Sequence, residues 1–458
     1  MNPSASASVL RNLSLKDISN RLGDGSLTSV QLVDEALAAI DAPGGEGRSC
    51  FIEVFAERSR ADAARSDAAR KSGRSMPPLA GIPISLKDLF DEAGVTTLGG
   101  SKAMVGEPAA SHDAPVVTRL REAGAILVGR TNMVEFAYSG LGVNPHYGTP
   151  RCVFDRAAGR IPGGSTSGGA ISVTDGMAAA AIGSDTGGSL RIPAALNGLV
   201  GFKPTQRRIS LENVMPLASS FDSAGAIGRT VHDCALIDAV LAGETPSTLP
   251  ALALSSLRLA VPRSYFLDDL SPAVAAAFGR ALSRLSAAGA TIVEAEMPEF
   301  LATPGVNPRG MVTAVEAYAW HRGLIERKAD LYDPRVLGRI RTGAPVLAAD
   351  YVHQLMLRRE YIASVQRVAA GFDAMLMPTT PDTAPTIAEV TASDEAYYRF
   401  NGRMLRNPSA VNSFDGCALS LPCHAAGAAP VGLMVAGCAG TDAHILAVGL
   451  AIESVLAG

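Results

Sequence analysis

Apolar residues recur at every third or fourth position from Leu13 to about Ala42: Leu15, Ile18 and Leu22, then Val30, Leu32, Val33, Ala36, Leu37 and Ile40. That spacing lines one face of a helix. The break at Gly23–Gly25 divides it into two helices, with Thr28 or Ser29 available to cap the second. A third helix, from Phe55 to about Lys71, is rich in Ala and Arg and surface-like. These helices are expected to pack on the outside of a sheet. From Pro77 the pattern changes to short apolar runs, Ile82–Leu86, Ala125–Val128 and Ala178–Ile182, alternating with turns and helical stretches, which is an α/β rhythm. A second block starts near Leu257. There LRLAVP reads as a strand, Pro272–Ala288 as an amphipathic helix and ATIVEAEMP as a strand, and Val312–Ala329 and Asp350–Ala370 as long helices. FDAMLMPTTP then reads as a buried strand ending in a turn, and PVGLMVAG as a last strand. No repeat or low-complexity linker separates the blocks, so one elaborated α/β unit is expected.

Composition removes several function classes. The 458 residues are 47% hydrophobic and 18% charged, a globular balance with material for a large core. The formal net charge is −4 and no long run of one sign interrupts the chain, so neither nucleic acid nor an anionic membrane is an expected partner. Six cysteines are scattered without a CxxC pair or zinc spacing, and they read as small buried residues in a reducing compartment. No metal and no cofactor is expected. The N-terminal stretch has no signal-like apolar run and no twenty-residue apolar span occurs, so a soluble, cytoplasmic protein is the expectation.

Three segments stand apart chemically. In Gly81-Ile-Pro-Ile-Ser-Leu-Lys-Asp-Leu-Phe90, one of only six lysines, Lys87, ends an apolar run. Burial disfavours an ammonium ion, which makes such a lysine usable as a base near neutral pH; snorkelling at a strand end, or pairing with Asp88, is the alternative. Pro162-Gly-Gly-Ser-Thr-Ser-Gly-Gly169 brings hydroxyls and N–H groups close to a ligand, yet contains neither a Gly-Lys-Ser/Thr phosphate loop nor a GxGxxG. In Gly183-Ser-Asp-Thr-Gly-Gly-Ser-Leu-Arg-Ile-Pro193, Ser189 follows two glycines, and the N–H groups from Thr186 to Ser189 could line a pocket for a developing oxyanion. Neither serine sits in a G-x-S-x-G elbow and there is no S-x-x-K. The seven histidines give a Ser-His-Asp triad no local support, although geometry rather than sequence decides that.

Taken together, Pro162–Pro193 and the upstream GIPISLKDLFD resemble the amidase signature family. The likeness runs from about Leu13 to Val455 and includes TNMVEFAYS, GLVGFKPTQRRIS, MPTTPDTAP and the final PVGLMVAG. It implies one amidase-signature domain over residues 1–458, a large twisted mixed β-sheet covered by helices on both faces. Within it lie an N-terminal helical part (1–75), the signature core (76–230), and further strands with pocket helices (231–458). It also implies a Ser–cisSer–Lys triad: Ser189 as nucleophile, Ser165 as bridging serine behind a cis peptide, and Lys87 as base. The two serines stand 24 positions apart, the family's usual interval. The amides of Thr186, Gly187, Gly188 and Ser189 are the implied oxyanion hole. Thr166, Asp185 and Arg191 are expected to hold the loop and hydrogen-bond the relay. Cys152-Val153, Arg207 and Gly225-Ala226 depart from the family's usual residues, which argues against the well-populated subgroups.

For the substrate, pocket walls are expected from Met133, Phe136 and Tyr138, the Leu211–Ser220 loop and the region Val312–Arg359. Many of these residues are apolar, so the first expectation is a small neutral amide, aryl amides included. A carbamate (urethane) or ester proceeds through the same tetrahedral intermediate and is the neighbouring alternative. The second alternative is a partner-dependent amidotransferase subunit that hydrolyses glutamine. A monomer or homodimer acting on a small molecule is expected.

Overall fold

The computed structural model describes residues 8–456. Eleven strands form one mixed sheet: β1 (Phe51–Val54), β2 (Pro83–Lys87), β3 (Ile126–Thr131), β4 (Ala180–Ser184), β5 (Val200–Lys203), β6 (Ala224–Gly228), β7 (Arg258–Pro262), β8 (Thr291–Ala295), β9 (Ala374–Pro378), β10 (Cys417–Pro422) and β11 (Gly432–Gly437). Their order across the sheet is β1-β3-β2-β4-β6-β5-β10-β11-β9-β7-β8. The β3-β2-β4 and β9-β7-β8 neighbours run parallel, and every other neighbouring pair is antiparallel.

The period-2 pleat separates two cores. Leu259 and Val261, Ala374 and Leu376, Leu419 and Leu421, and Leu433 and Val435 pack on one face, with the helices Val231–Ala242, Pro272–Ala287 and Asp442–Leu456. Their alternates Ala260, Met375, Met377, Ala418, Met434 and Ala436 pack on the other, against Tyr361 and Val365 of the helix Ala348–Ala369 and Ala410 and Val411 of the helix Asp394–Ser413. Both faces are therefore covered by helices.

The two N-terminal helices, Leu15–Gly23 and Ser29–Ile40, open on capping boxes, Ser14 with Asp17 and Thr28 with Gln31. Of the two caps available to the second helix, Thr28 serves. The Ala56–Lys71 helix lies against Ser29–Ile40 and β3. The stretch expected to be helical up to residue 75 also supplies the edge strand β1, antiparallel to β3. The strands and long helices expected from periodicity form within a few residues of their expected bounds. The run Ile82–Leu86 extends one residue further, so Lys87 is the last residue of β2.

Candidate active site

The pleat of β2 aims Lys87. Ile84 and Leu86 belong to the first core, whereas Ser85, on the opposite face, meets the Ser172 hydroxyl at 2.8 Å. Ser172 lies on the short helix Ser167–Thr174, which begins two residues after Ser165. Lys87, two residues beyond Ser85, shares its face and is fully buried, with its Nζ donating to Ser165 Oγ at 2.8 Å and to Ser184 Oγ at 2.9 Å. Ser184 ends β4, the parallel neighbour of β2. Lys87 does not pair with Asp88, whose carboxylate takes Arg130 Nε at 2.7 Å instead. Burial lowers the Lys87 pKa to about 7, although the charges of Asp185 and Asp222 oppose the shift.

The Gly164–Ser165 peptide is cis. The bridging segment is tied to its neighbours by backbone bonds: Gly164 N–H to Gly140 O at 2.9 Å, Val134 N–H to Ser165 O at 3.1 Å and Thr166 N–H to Ser189 O at 3.3 Å. The last of these joins the segments carrying Ser165 and Ser189. Ser189 is 3% exposed and lines a cavity of about 550 Å³.

Asp185 holds the turn before Ser189. One carboxylate oxygen accepts the Gly188 amide at 2.8 Å, Arg191 Nη2 at 2.9 Å and Asn412 Nδ2 at 2.9 Å. The other accepts the Leu190 amide and Arg191 Nε, both at 3.1 Å. Burial alone would raise this carboxyl; the Arg191 guanidinium outweighs it and holds Asp185 well below the usual range. Arg191 is fully buried and also reaches Pro408 O at 2.9 Å and Asn412 Oδ1 at 2.6 Å. Gly188 stands at φ +126°, where a Cβ would lie 2.7 Å from Pro408, so this position requires glycine.

These contacts correct three expectations. The Gly188 amide is committed to Asp185 and cannot serve an oxyanion at the same time; among the described residues, the Thr186, Gly187 and Ser189 amides have no protein acceptor. Thr166 meets the relay only through its backbone N–H, 3.3 Å from Ser189 O: its hydroxyl is buried without any partner, packed against Gly183. Of the expected pocket residues, Tyr138 lines the cavity but Met133 and Phe136 do not. Phe136 (φ 49°) and Ala137 (φ 60°) take left-handed backbone, and Phe136 packs against His321 and Tyr332 at ring centroid distances of 4.3 and 5.1 Å. Met133 is fully buried in the same core. From the two longer regions expected, Leu217, Thr313 and Arg339 line the cavity.

Sequence reasoning misses several participants. Asp222 accepts the Thr186 hydroxyl on one oxygen and the Leu217 and Ala218 amides, at 2.9 and 3.0 Å, on the other. Burial pushes its pKa up to about 6, against the Thr186 and backbone hydrogen bonds. Asn412, Tyr265, Tyr398 and Asn401 complete the far walls. A second buried lysine, Lys203, spends its protons on backbone carbonyls, Pro204 O and Gly416 O, both at 2.7 Å, and so has no hydroxyl to activate. Among the described residues, no three His, Cys, Asp or Glu side chains are grouped as a metal would need, and no helix is long and apolar enough to cross a membrane.

Comparison with known proteins agrees with this architecture. The amidase family model matches residues 32–446. The chain belongs to the amidase family. The 2-amino-5-chloromuconic acid deaminase of Comamonas testosteroni is 35% identical, over 97% of this chain and 96% of that protein. A glutamyl-tRNA(Gln) amidotransferase subunit from Symbiobacterium thermophilum is 33% identical, over 94% of each. A solved amidase superposes with a TM-score of 0.86 at 32% identity, covering 97% of this chain and all of the other. The chain is thus an amidase-type hydrolase acting on carbon–nitrogen bonds other than peptide bonds.

Proposed function

We propose that this chain hydrolyses the C–N bond of a small amide through Ser189, Ser165 and Lys87. The observation that carries the reading is the Lys87–Ser165 contact at 2.8 Å inside a fully buried setting that lowers the lysine pKa to about 7. Neutral Lys87 takes the Ser165 proton as Ser165 takes that of Ser189, whose Oγ adds to the substrate carbonyl. Thr186, Gly187 and Ser189 offer their unpaired amides to the oxyanion. The proton returns through Ser165 to the departing nitrogen, C–N cleavage leaves an acyl-enzyme, and water releases the acid. Ser184, the second partner of Lys87, fixes the amine nitrogen between two hydroxyls. The aromatic walls Tyr138, Phe221, Tyr265 and Tyr398 suit a flat acyl or amine portion. A carbamate or ester would enter the same relay.

The test is reaction of the purified chain alone with a fluorophosphonate, the label mapped by mass spectrometry. Label on Ser189, absent in Ser189→Ala, supports the reading; Lys87→Ala is expected to lower turnover by about two to four orders of magnitude. Label elsewhere, or Lys87→Ala turning over normally, would refute it. A second reading is favoured by the amidotransferase relative, itself one subunit of a larger enzyme: the chain requires a partner before it acts. In that case labelling and ammonia release from glutamine appear only once a partner protein is added. All six cysteines are free, which fits a reducing compartment such as the cytoplasm.

A further inference from the structure

The residues lining the Ser189 cavity include two arginines, Arg309 and Arg339, and neither an aspartate nor a glutamate. Arg339 donates to the Tyr138 carbonyl and lies over the Tyr138 ring, 4.0 Å from its centroid. That single bond uses one of its five N–H groups. Arg309 is exposed and has no hydrogen-bond or ion-pair partner among the described residues. The nearby carboxylates are engaged elsewhere: Asp394 pairs with Arg335, Asp333 caps the Pro334–Arg341 helix, and Asp185 and Asp222 bind the loops behind Ser189. Among the described residues neither guanidinium has a salt-bridge partner, so the pair favours an anion in the cavity they line, and their forked donors match a carboxylate.

The backbone at Arg309 adds a second, independent observation. It stands at φ 52°, ψ 23°, directly before Gly310 at φ 77°. Asn307 pins the turn, its Oδ1 accepting the Val312 amide and its Nδ2 donating to Thr313 Oγ1, both at 2.9 Å. Left-handed backbone costs a side-chain-bearing residue free energy that glycine avoids. An arginine is held there nonetheless, lining the Ser189 cavity.

We propose that the substrate is an amide bearing a carboxylate away from the scissile bond, received by the two arginines of the cavity wall, Arg309 and Arg339. This rests on the assignment of Ser189 as nucleophile and narrows the substrate from the small neutral amide expected of the sequence to the half-amide of a dicarboxylic acid. Water converts such a half-amide to the dicarboxylate and ammonium.

The test uses the full chain with glutaramate and chain-matched pentanamide as substrates, ammonia release as readout, and calorimetric titration with glutarate. Glutaramate is expected to be favoured, and Arg309→Gly is expected to lower the ratio of the two kcat/KM values about ten- to hundredfold, the range of a hydrogen bond to a charged group. The same variant should weaken glutarate binding while leaving Tm equal or higher, because glycine relieves the left-handed backbone. Pentanamide favoured over glutaramate, no glutarate binding, or an unchanged ratio in Arg309→Gly would overturn the proposal. Fluorophosphonate labelling separates the two levels: Ser189 labelled without carboxylate preference refutes this inference alone, whereas glutarate binding without label refutes the nucleophile.

Discussion

The pH dependence of turnover tests the relay most directly. An ordinary lysine, at 10.5, is neutral in about one molecule in three thousand at pH 7; Lys87, at about 7, is neutral in about half. That gap corresponds to about 5 kcal/mol against its ammonium form, the effect of burial net of the opposing Asp185 and Asp222 charges. If the neutral amine is the base, kcat/KM should rise tenfold per pH unit below about 7 and flatten above it, leaving about 1% of the plateau at about pH 5. The direction of a second perturbation follows from the same contacts. The Asp222 charge raises the Lys87 pKa, and with its own pKa about 6 that charge is present over the upper part of the limb. Asp222→Asn keeps an oxygen for the Thr186 hydroxyl but removes the charge, so the acid limb should move to lower pH. The assay is the rate of Ser189 labelling by a fluorophosphonate between about pH 5 and 9, which does not depend on the leaving group of any natural substrate. A flat profile, or a limb that moves upward in Asp222→Asn, would rule out neutral Lys87 as the base.

Two further outcomes follow from the surrounding contacts. Asp185→Asn leaves Arg191 charged and unpaired in the core, so a loss of about 3–5 kcal/mol in unfolding free energy is expected, measured by urea titration. Thr166→Val replaces a buried hydroxyl that has no partner with a methyl of the same shape, so Tm should stay level or rise while turnover holds within about threefold.

Much of the fold is legible because its signals are local. The run Ile82–Leu86 reads as a strand from its apolar continuity, and the helices around Leu15–Ile40 from their three–four spacing. β5 and β6 escape such a reading because VGFK and AGAIG are short and glycine-rich, buried on both faces, and so show no alternation. The relay is legible because its residues lie in motifs of fixed spacing. Phe136 misleads because the left-handed turn that directs its ring into the core occurs at residues other than glycine, which sequence does not announce. Gly188 passes for a free donor because nothing local shows that Asp185, three residues earlier, already holds its amide. Asn412 stands 227 positions from Asp185 and carries no motif of its own.

That last contact bears on when the enzyme comes into being during synthesis. Lys87, Ser165 and Ser189 have all left the ribosomal tunnel long before the Asp394–Ser413 helix, whose Pro408 carbonyl and Asn412 side chain clasp Arg191 and Asp185. At translation rates of about 5–20 residues per second, the braced turn waits on the order of 10–40 s for its clasp. A nascent chain therefore carries its reactive serine in an unfinished loop, and hydrolytic competence arrives as a late event, timed by the Asp394–Ser413 helix.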